Sequence, residues 1–157
     1  MTDVEQDQNR ENLALVLSLS RSYQRFFRSM VPVFAQAGLT PSQWDVLETL
    51  HSKGPLSVNE LIESLIGSSG NVDVIVKNLI SAGLVHKTVD REDRRRRILS
   101  LTSKGKTAVA EFYPVHNQAL ATVFARLTRA EKRKHVEALS RLRKQIMPAT
   151  QAGTQTN

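Results

Sequence analysis

Residues 57–101 read SVNELIESLIGSSGNVDVIVKNLISAGLVHKTVDREDRRRRILSL, and the order of patterns in this stretch decides the fold. It opens with Ser57-x-x-Glu60, a capping box in which each side chain can satisfy a free backbone N–H at a helix start. Val58, Leu61, Ile62 and Leu65 then recur at i, i+3, i+4 and i+7, the spacing of one helical face. After a break at Ile66-Gly67-Ser68, the same spacing returns in Val72, Ile75, Val76 and Leu79. Two short helices with matched apolar stripes, joined by a tight turn, make a helix-turn-helix. Gly83 adopts positive φ at little cost and stops the second helix, after which Leu84–Val89 reads as a strand. Every residue from Asp90 to Arg97 is charged, and Ile98–Leu101 resumes an apolar strand pattern. The segment therefore predicts a β-hairpin with a basic tip.

Upstream, Leu13, Val16, Leu19, Tyr23, Phe26, Phe27, Met30 and Phe34 form the stripe of a long amphipathic helix that Gly38 ends. Thr40-Pro41 places a cap before a proline at the first helical position, and Trp44, Leu47 and Leu50 give this next helix its buried side until Lys53-Gly54-Pro55 stops it. Downstream, Thr102 or Ser103 caps a helix carrying Val109, Phe112, His116, Leu120, Val123, Phe124 and Leu127, with a bend expected at Pro114. A second capping box, Thr128-x-x-Glu131, opens the last helix, with Val136, Leu139, Leu142 and Ile146 on one face.

With 157 residues the chain predicts one domain rather than two. An apolar fraction of 40% with only 5% aromatics suggests that a partner chain covers part of the apolar surface. A net charge of +7 suits a polyanionic partner such as nucleic acid. The absence of cysteine excludes disulfides, thiolate nucleophiles and thiolate metal sites. Met1–Asn12 is polar with no apolar stretch behind it, and no apolar run approaches the ~18 residues of a membrane span, so a cytoplasmic protein without membrane contact is expected.

The stretch from Leu39 to Gly105 resembles the regulators of the MarR family. The residues that carry the resemblance are Leu39–Leu47, Ser57–Leu61, Ser68–Val72 and Gly83–Val85, then Asp90-x-x-Asp93-Arg94-Arg95 followed by Leu101-Thr102-x-x-Gly105. The last pair of motifs is the specific part, since a bare helix-turn-helix pattern is common. The resemblance implies a mainly α fold with a small β-hairpin wing (α+β), a winged helix-turn-helix over 40–105. The helices of 9–37 and 106–147 would form a dimerisation layer, and the small polar composition of 148–157 predicts a disordered tail. It also implies a homodimeric regulator, most often a repressor, that binds double-stranded DNA at a pseudo-palindromic operator and is released by a small aromatic or anionic effector. A constitutive architectural dimer with no effector is the alternative.

With Val72, Ile75, Val76 and Leu79 inward, a helical wheel turns Gly70, Val74, Lys77 and Ser81 outward, with Asn71, Asp73 and Asn78 on the shoulders. Ser68 and Ser69 at the helix N-terminus can meet a phosphate. Asn71 suits adenine, Lys77 suits guanine or phosphate, and Val74 suits a thymine methyl. Asp73 departs from the small hydroxyl residue usual in the family; it accepts from cytosine, or strengthens the helix start, or pairs with Lys77 one turn on. In the wing the DNA-facing candidates are Arg91, Arg94, Arg95 and Arg96, and the resemblance places an arginine of Asp93-Arg94-Arg95 in the minor groove. Ser57 completes this set. Asp90 and Asp93 are expected to orient the wing by holding neighbouring guanidinium groups.

The four histidines, His51, His86, His116 and His135, show no ligand spacing, and neither a nucleophile elbow nor a phosphate-binding glycine loop occurs. No enzyme, metal site or cofactor is therefore expected. Tyr23, Phe27, Trp44, His51, Phe112 and His116 are candidates for an apolar effector pocket, with Arg25 or Arg28 available for an anion.

Overall fold

The computed structural model describes residues 3–65, 71–90 and 93–146. It holds α1 (Asp3–Gln36), α2 (Pro41–Lys53), β1 (Leu56–Ser57), α3 (Val58–Ser64), α4 (Val72–Ser81), β2 (Val85–Val89), β3 (Arg97–Leu101), α5 (Ser103–Val123) and α6 (Arg129–Gln145). The architecture is the mainly helical, small-sheet one expected. The chain divides into two compact units, residues 1–120 and 121–157.

In the first unit, α1 begins well before its apolar stripe. Asp3–Asn12 contains neither glycine nor proline, so nothing in it breaks the helix. The helix ends in a Schellman turn: Gly38 at φ +66° donates to Ala35 O, and Leu39 donates to Phe34 O. The same device closes α4, where Gly83 at φ +72° donates to Ile80 O and Leu84 to Leu79 O, turning the chain directly into β2. Thr40 caps α2 in a box with Gln43, and the Ser57 box with Glu60 forms as the sequence predicts.

Two expectations shift. Leu65 is the C-cap of α3 in extended backbone rather than a member of its stripe, and only Leu61 of that stripe is buried. The sheet has three strands in the order β1-β3-β2, all antiparallel, with Leu56 opposite Leu99 and Val85 opposite Leu101. A two-residue strand is too short to show alternation, which is why β1 is invisible in the sequence.

The core of this unit joins Met30 and Phe34 of α1, Trp44, Val46 and Leu47 of α2, Leu61, Leu79, Leu99, and Val109 and Phe112 of α5. Trp44 and Phe112 meet edge to face at 4.8 Å. Thr102 fixes where α5 starts. Its hydroxyl donates to Gly83 O at 2.7 Å and accepts from Gly105 N–H at 2.9 Å, while its own N–H donates to Leu84 O at 3.1 Å. The Leu-Thr-x-x-Gly motif is thus a clamp that sets the first turn of α5 against the backbone at the start of β2.

In the second unit, Thr128 and Glu131 form the predicted capping box of α6. No residue of α6 is buried, and Val136, Leu139 and Ile146 are all more than half exposed. α5 stops at Val123, so Phe124 and Leu127 lie in the turn that follows it instead of on its stripe.

Candidate nucleic-acid interface

α4 buries Val72, Val76 and Leu79 and half-buries Ile75, and this fixes what faces outward. Asp73, Val74, Lys77, Asn78 and Ser81 are all exposed, Val74 at 46%. An exposed valine beside a lysine and an asparagine on a ten-residue helix is a mixed apolar and hydrogen-bonding face of the kind a major groove accepts. Asn71 is the N-cap, with φ +96°, and its side chain makes no capping bond. Asp73 and Lys77 form no ion pair. Ser68, Ser69 and Gly70, expected at this helix start, lie outside the described residues, as does Arg91.

The wing is held from inside. The hairpin closes through Asp90 N–H to Arg96 O at 3.1 Å and Arg96 N–H to Asp93 O at 2.9 Å. The Asp90 carboxylate accepts the Asp93 N–H, and the Asp93 carboxylate accepts the Arg95 N–H at 2.9 Å. These two aspartates therefore orient the wing through its backbone, and the guanidinium partners expected for Asp93 are replaced by an N–H two residues on. Short carboxylate side chains reach nearby amides in a tight turn at less entropic cost than long arginine side chains.

Of the four consecutive arginines, two are engaged within the chain. Arg97 donates to Arg94 O at 2.7 Å, and the Arg96 guanidinium bonds Glu60 Oε1 at 3.0 Å. Glu60 uses its other oxygen, Oε2, to accept the Ser57 N–H at 2.7 Å. The two Ser57 hydrogen bonds, and after them the Arg96 charge, hold the Glu60 carboxyl below its ordinary range. Glu60 thus links the first helix of the helix-turn-helix to the wing. Sequence reasoning gives Glu60 its capping role but not this second one, which exists because β1 pairs Ser57 with Ile98 and so brings Arg96 within reach. Arg94 and Arg95 are exposed, and their side chains make no hydrogen bond or ion pair among the described residues. Ser57 is only 8% exposed, with its hydroxyl committed to the Glu60 N–H. Its replacement by alanine is expected to cost about 1 kcal/mol of stability, as for other N-caps, and to slacken the wing tether. Thermal melts of Ser57→Ala against the parent check this, and an unchanged melting temperature would deny the cap its role.

Residues 37–96 match the profile of the MarR family. The HTH-type transcriptional repressor MdtR of Bacillus subtilis (strain 168) is 30% identical over 115 residues, covering 73% of this chain and 74% of its own. The chain belongs to the MarR family. A second member-like relative, the HTH-type transcriptional regulator YkoM of the same strain, is 28% identical over 128 residues, 79% of this chain and 83% of its own. The solved structure of Bordetella bronchiseptica BpsR, whose DNA binding is regulated by 6-hydroxynicotinic acid, superposes with a TM-score of 0.75 at 26% identity, covering 82% of this chain and 98% of that one. As a MarR-family protein the chain is a DNA-binding transcriptional regulator and not an enzyme. No helix among the described residues is long and apolar enough to cross a membrane.

This MarR-family chain also has a cleft of about 450 Å³ between α1, α2 and α5. Tyr23, Phe27, Trp44 and His116 of the expected pocket line it. The other two do not. Phe112 is 5% exposed and belongs to the core behind Trp44, while His51 is exposed, with its ring 5.9 Å from Tyr113. Helical periodicity finds the apolar face but does not separate the residues that wall a cleft from those that fill the core beneath it. Arg25 and Arg28 line a different concavity along α1, with Arg21 and Ser29. Burial holds His116 below the usual histidine range, outweighing the opposite pull of Glu48, and so favours its neutral ring.

Proposed function

We propose that this chain is a homodimeric repressor that holds a pseudo-palindromic operator and is released from it by a small molecule occupying the cleft between α1, α2 and α5. The observation that carries the reading is the pairing of an exposed polar face on α4 with a wing whose tip arginines are free while its base is tied down. Val74, Lys77 and Asn78, with Asn71 and Asp73 at the helix start, would meet base edges and phosphates in the major groove. Arg94 and Arg95 would enter the adjacent minor groove, whose negative potential an arginine reads without base-specific bonds. Arg96 and Ser57 act here as positioning residues. Ser68, Ser69, Gly70 and Arg91 belong to the proposed contact set by their place in the sequence.

Dimerisation is supported by apolar side chains left in water: Leu13 and Val16 near the start of α1, and Val136, Leu139 and Ile146 along α6. Exposed apolar stripes on terminal helices are surfaces that an isologous partner covers. Two copies would then present two α4 helices to half-sites about one helical turn apart. Release by a ligand is supported by the cleft and by the 6-hydroxynicotinic acid response of BpsR.

The test is affinity for the duplex upstream of the chain's own gene against a shuffled duplex at physiological salt, with stoichiometry. Specific binding is expected to exceed non-specific by at least ~10³, as a dimer. Equal affinity for both would support an architectural protein instead, and no binding to either would overturn the DNA interface.

A further inference from the structure

We infer that the cleft between α1, α2 and α5 takes an aromatic cation rather than a carboxylate, because aromatic rings and two uncompensated carboxylates are what it offers. The inference rests on the effector reading above and names the chemical class of the effector. The carboxylates are Asp45 and Glu48, both on α2 and both among the lining residues. Neither makes a hydrogen bond or ion pair among the described residues, and the lining contains no lysine or arginine. Aromatic rings line the same cleft. Trp44 lies 5.1 Å from His116 and 5.7 Å from Tyr113, centroid to centroid, and Tyr23 lies 5.8 Å from Phe27. A cation within about 6 Å of a ring centroid is attracted by the ring quadrupole, most strongly over tryptophan. A carboxylate ligand would instead meet two like charges and a ring face that repels it.

The surroundings of these groups show that no cation already balances them. Asp45 is shifted upward, first by burial and then by the nearby Glu48, which marks it as a carboxyl whose charge the surroundings do not offset. Burial shifts His116, the histidine that could have supplied a positive charge, toward its neutral form. The titratable groups facing the cleft are therefore Asp45 and Glu48 from α2, His116 and Tyr113 from α5, and Tyr23 from α1. The charged side chains among them are carboxylates, with no lysine or arginine to set against them. The arginines of α1 that would suit an anion, Arg21, Arg25 and Arg28, line a separate concavity.

Trp44 is the only tryptophan of the chain and is 3% exposed in the wall of the cleft, so its emission reports occupancy directly. The experiment titrates the full chain with benzyltrimethylammonium, benzyl alcohol and phenylacetate, which share a ring and differ in charge, at matched ionic strength. Benzyltrimethylammonium is expected to bind on the order of tenfold tighter than phenylacetate, with the alcohol between them. In Asp45→Asn combined with Glu48→Gln the preference should vanish, while benzyl alcohol affinity stays within about twofold and shows the cleft intact. Phenylacetate binding as tightly as the cation, a preference that survives the double substitution, or no change in Trp44 emission with any probe would each overturn the inference. The same preparation is assayed on the upstream duplex. Duplex binding without cation binding overturns the cleft chemistry alone, whereas cation binding that leaves duplex affinity unchanged overturns release by ligand and keeps the ligand class.

Discussion

Changing Arg94 and Arg95 together to alanine is expected to lower affinity for the upstream duplex by about two orders of magnitude. A well-placed arginine contact is worth roughly 1–3 kcal/mol, and each 1.4 kcal/mol is a factor of ten. Two side chains near the lower end of that range give the hundredfold. Both arginines are exposed and neither holds the fold, so the thermal melt should be unchanged. The salt dependence separates how they act. If both neutralise phosphates, the slope of log affinity against log salt should become shallower by about two, at roughly 0.9 per phosphate. If they act within a narrow minor groove, the loss should be greater on the operator than on shuffled duplex. Arg96→Ala is a different experiment, because it cuts the 3.0 Å bond to Glu60 and frees the wing base. Glu60→Gln should reproduce part of its effect, which no direct phosphate contact by Arg96 would predict. Unchanged affinity in the Arg94 and Arg95 double variant would remove the wing from the interface.

The contrast among these arginines shows what the sequence does and does not carry. Local signals are legible: the Ser57 and Thr128 capping boxes form, Gly83 stops α4 where expected, and the stripe of Val72, Val76 and Leu79 is buried. Each of these depends on residues within one turn of each other. The Arg96–Glu60 link spans 36 positions and depends on β1, a strand of two residues with no pattern of its own. The four arginines are identical in type, so only the pairing of β1 with β3 distinguishes Arg96, tethered to Glu60, from Arg94 and Arg95. The carboxylates of the cleft fail to show for a related reason. Trp44, Asp45 and Glu48 lie within five positions on α2, and a hydrophobic stripe records Trp44 while passing over the carboxylates on its border. The aromatic side of the pocket is therefore visible in the sequence and its charge is not. That charge is the ground on which we propose an aromatic cation where the resemblance implies a small aromatic or anionic effector.

Gly105→Ala sets two effects of opposite sign against each other. In an exposed helix interior, alanine is favoured over glycine by about 1 kcal/mol, so helix propensity alone predicts a stabilised protein. Gly105, however, is a buried residue in the first turn of α5, and a Cβ there would overlap the Leu84 carbonyl oxygen while lying 3.0 Å from the Leu84 carbonyl carbon and 3.4 Å from Leu101 Cδ2. The obstacle is backbone, not the end of a flexible side chain. That same carbonyl accepts the Thr102 N–H at 3.1 Å, so moving it aside also weakens the clamp that sets α5 against β2. Overpacking of this kind typically costs 1–3 kcal/mol and occasionally more, and an immovable neighbour puts the change at the upper end, near 3 kcal/mol. For a chain of this size that corresponds to a melting temperature lower by roughly 6–12 °C. Thr107→Ala, on the exposed side of the same helix, serves as the control and should shift the melt by no more than about 2 °C. A melt of Gly105→Ala that matches or exceeds the parent would mean that propensity wins and that α5 stands off β2. A melt depressed as predicted would establish that the glycine of Leu-Thr-x-x-Gly is required for the close approach of helix to strand, on which the placement of wing and cleft alike depends.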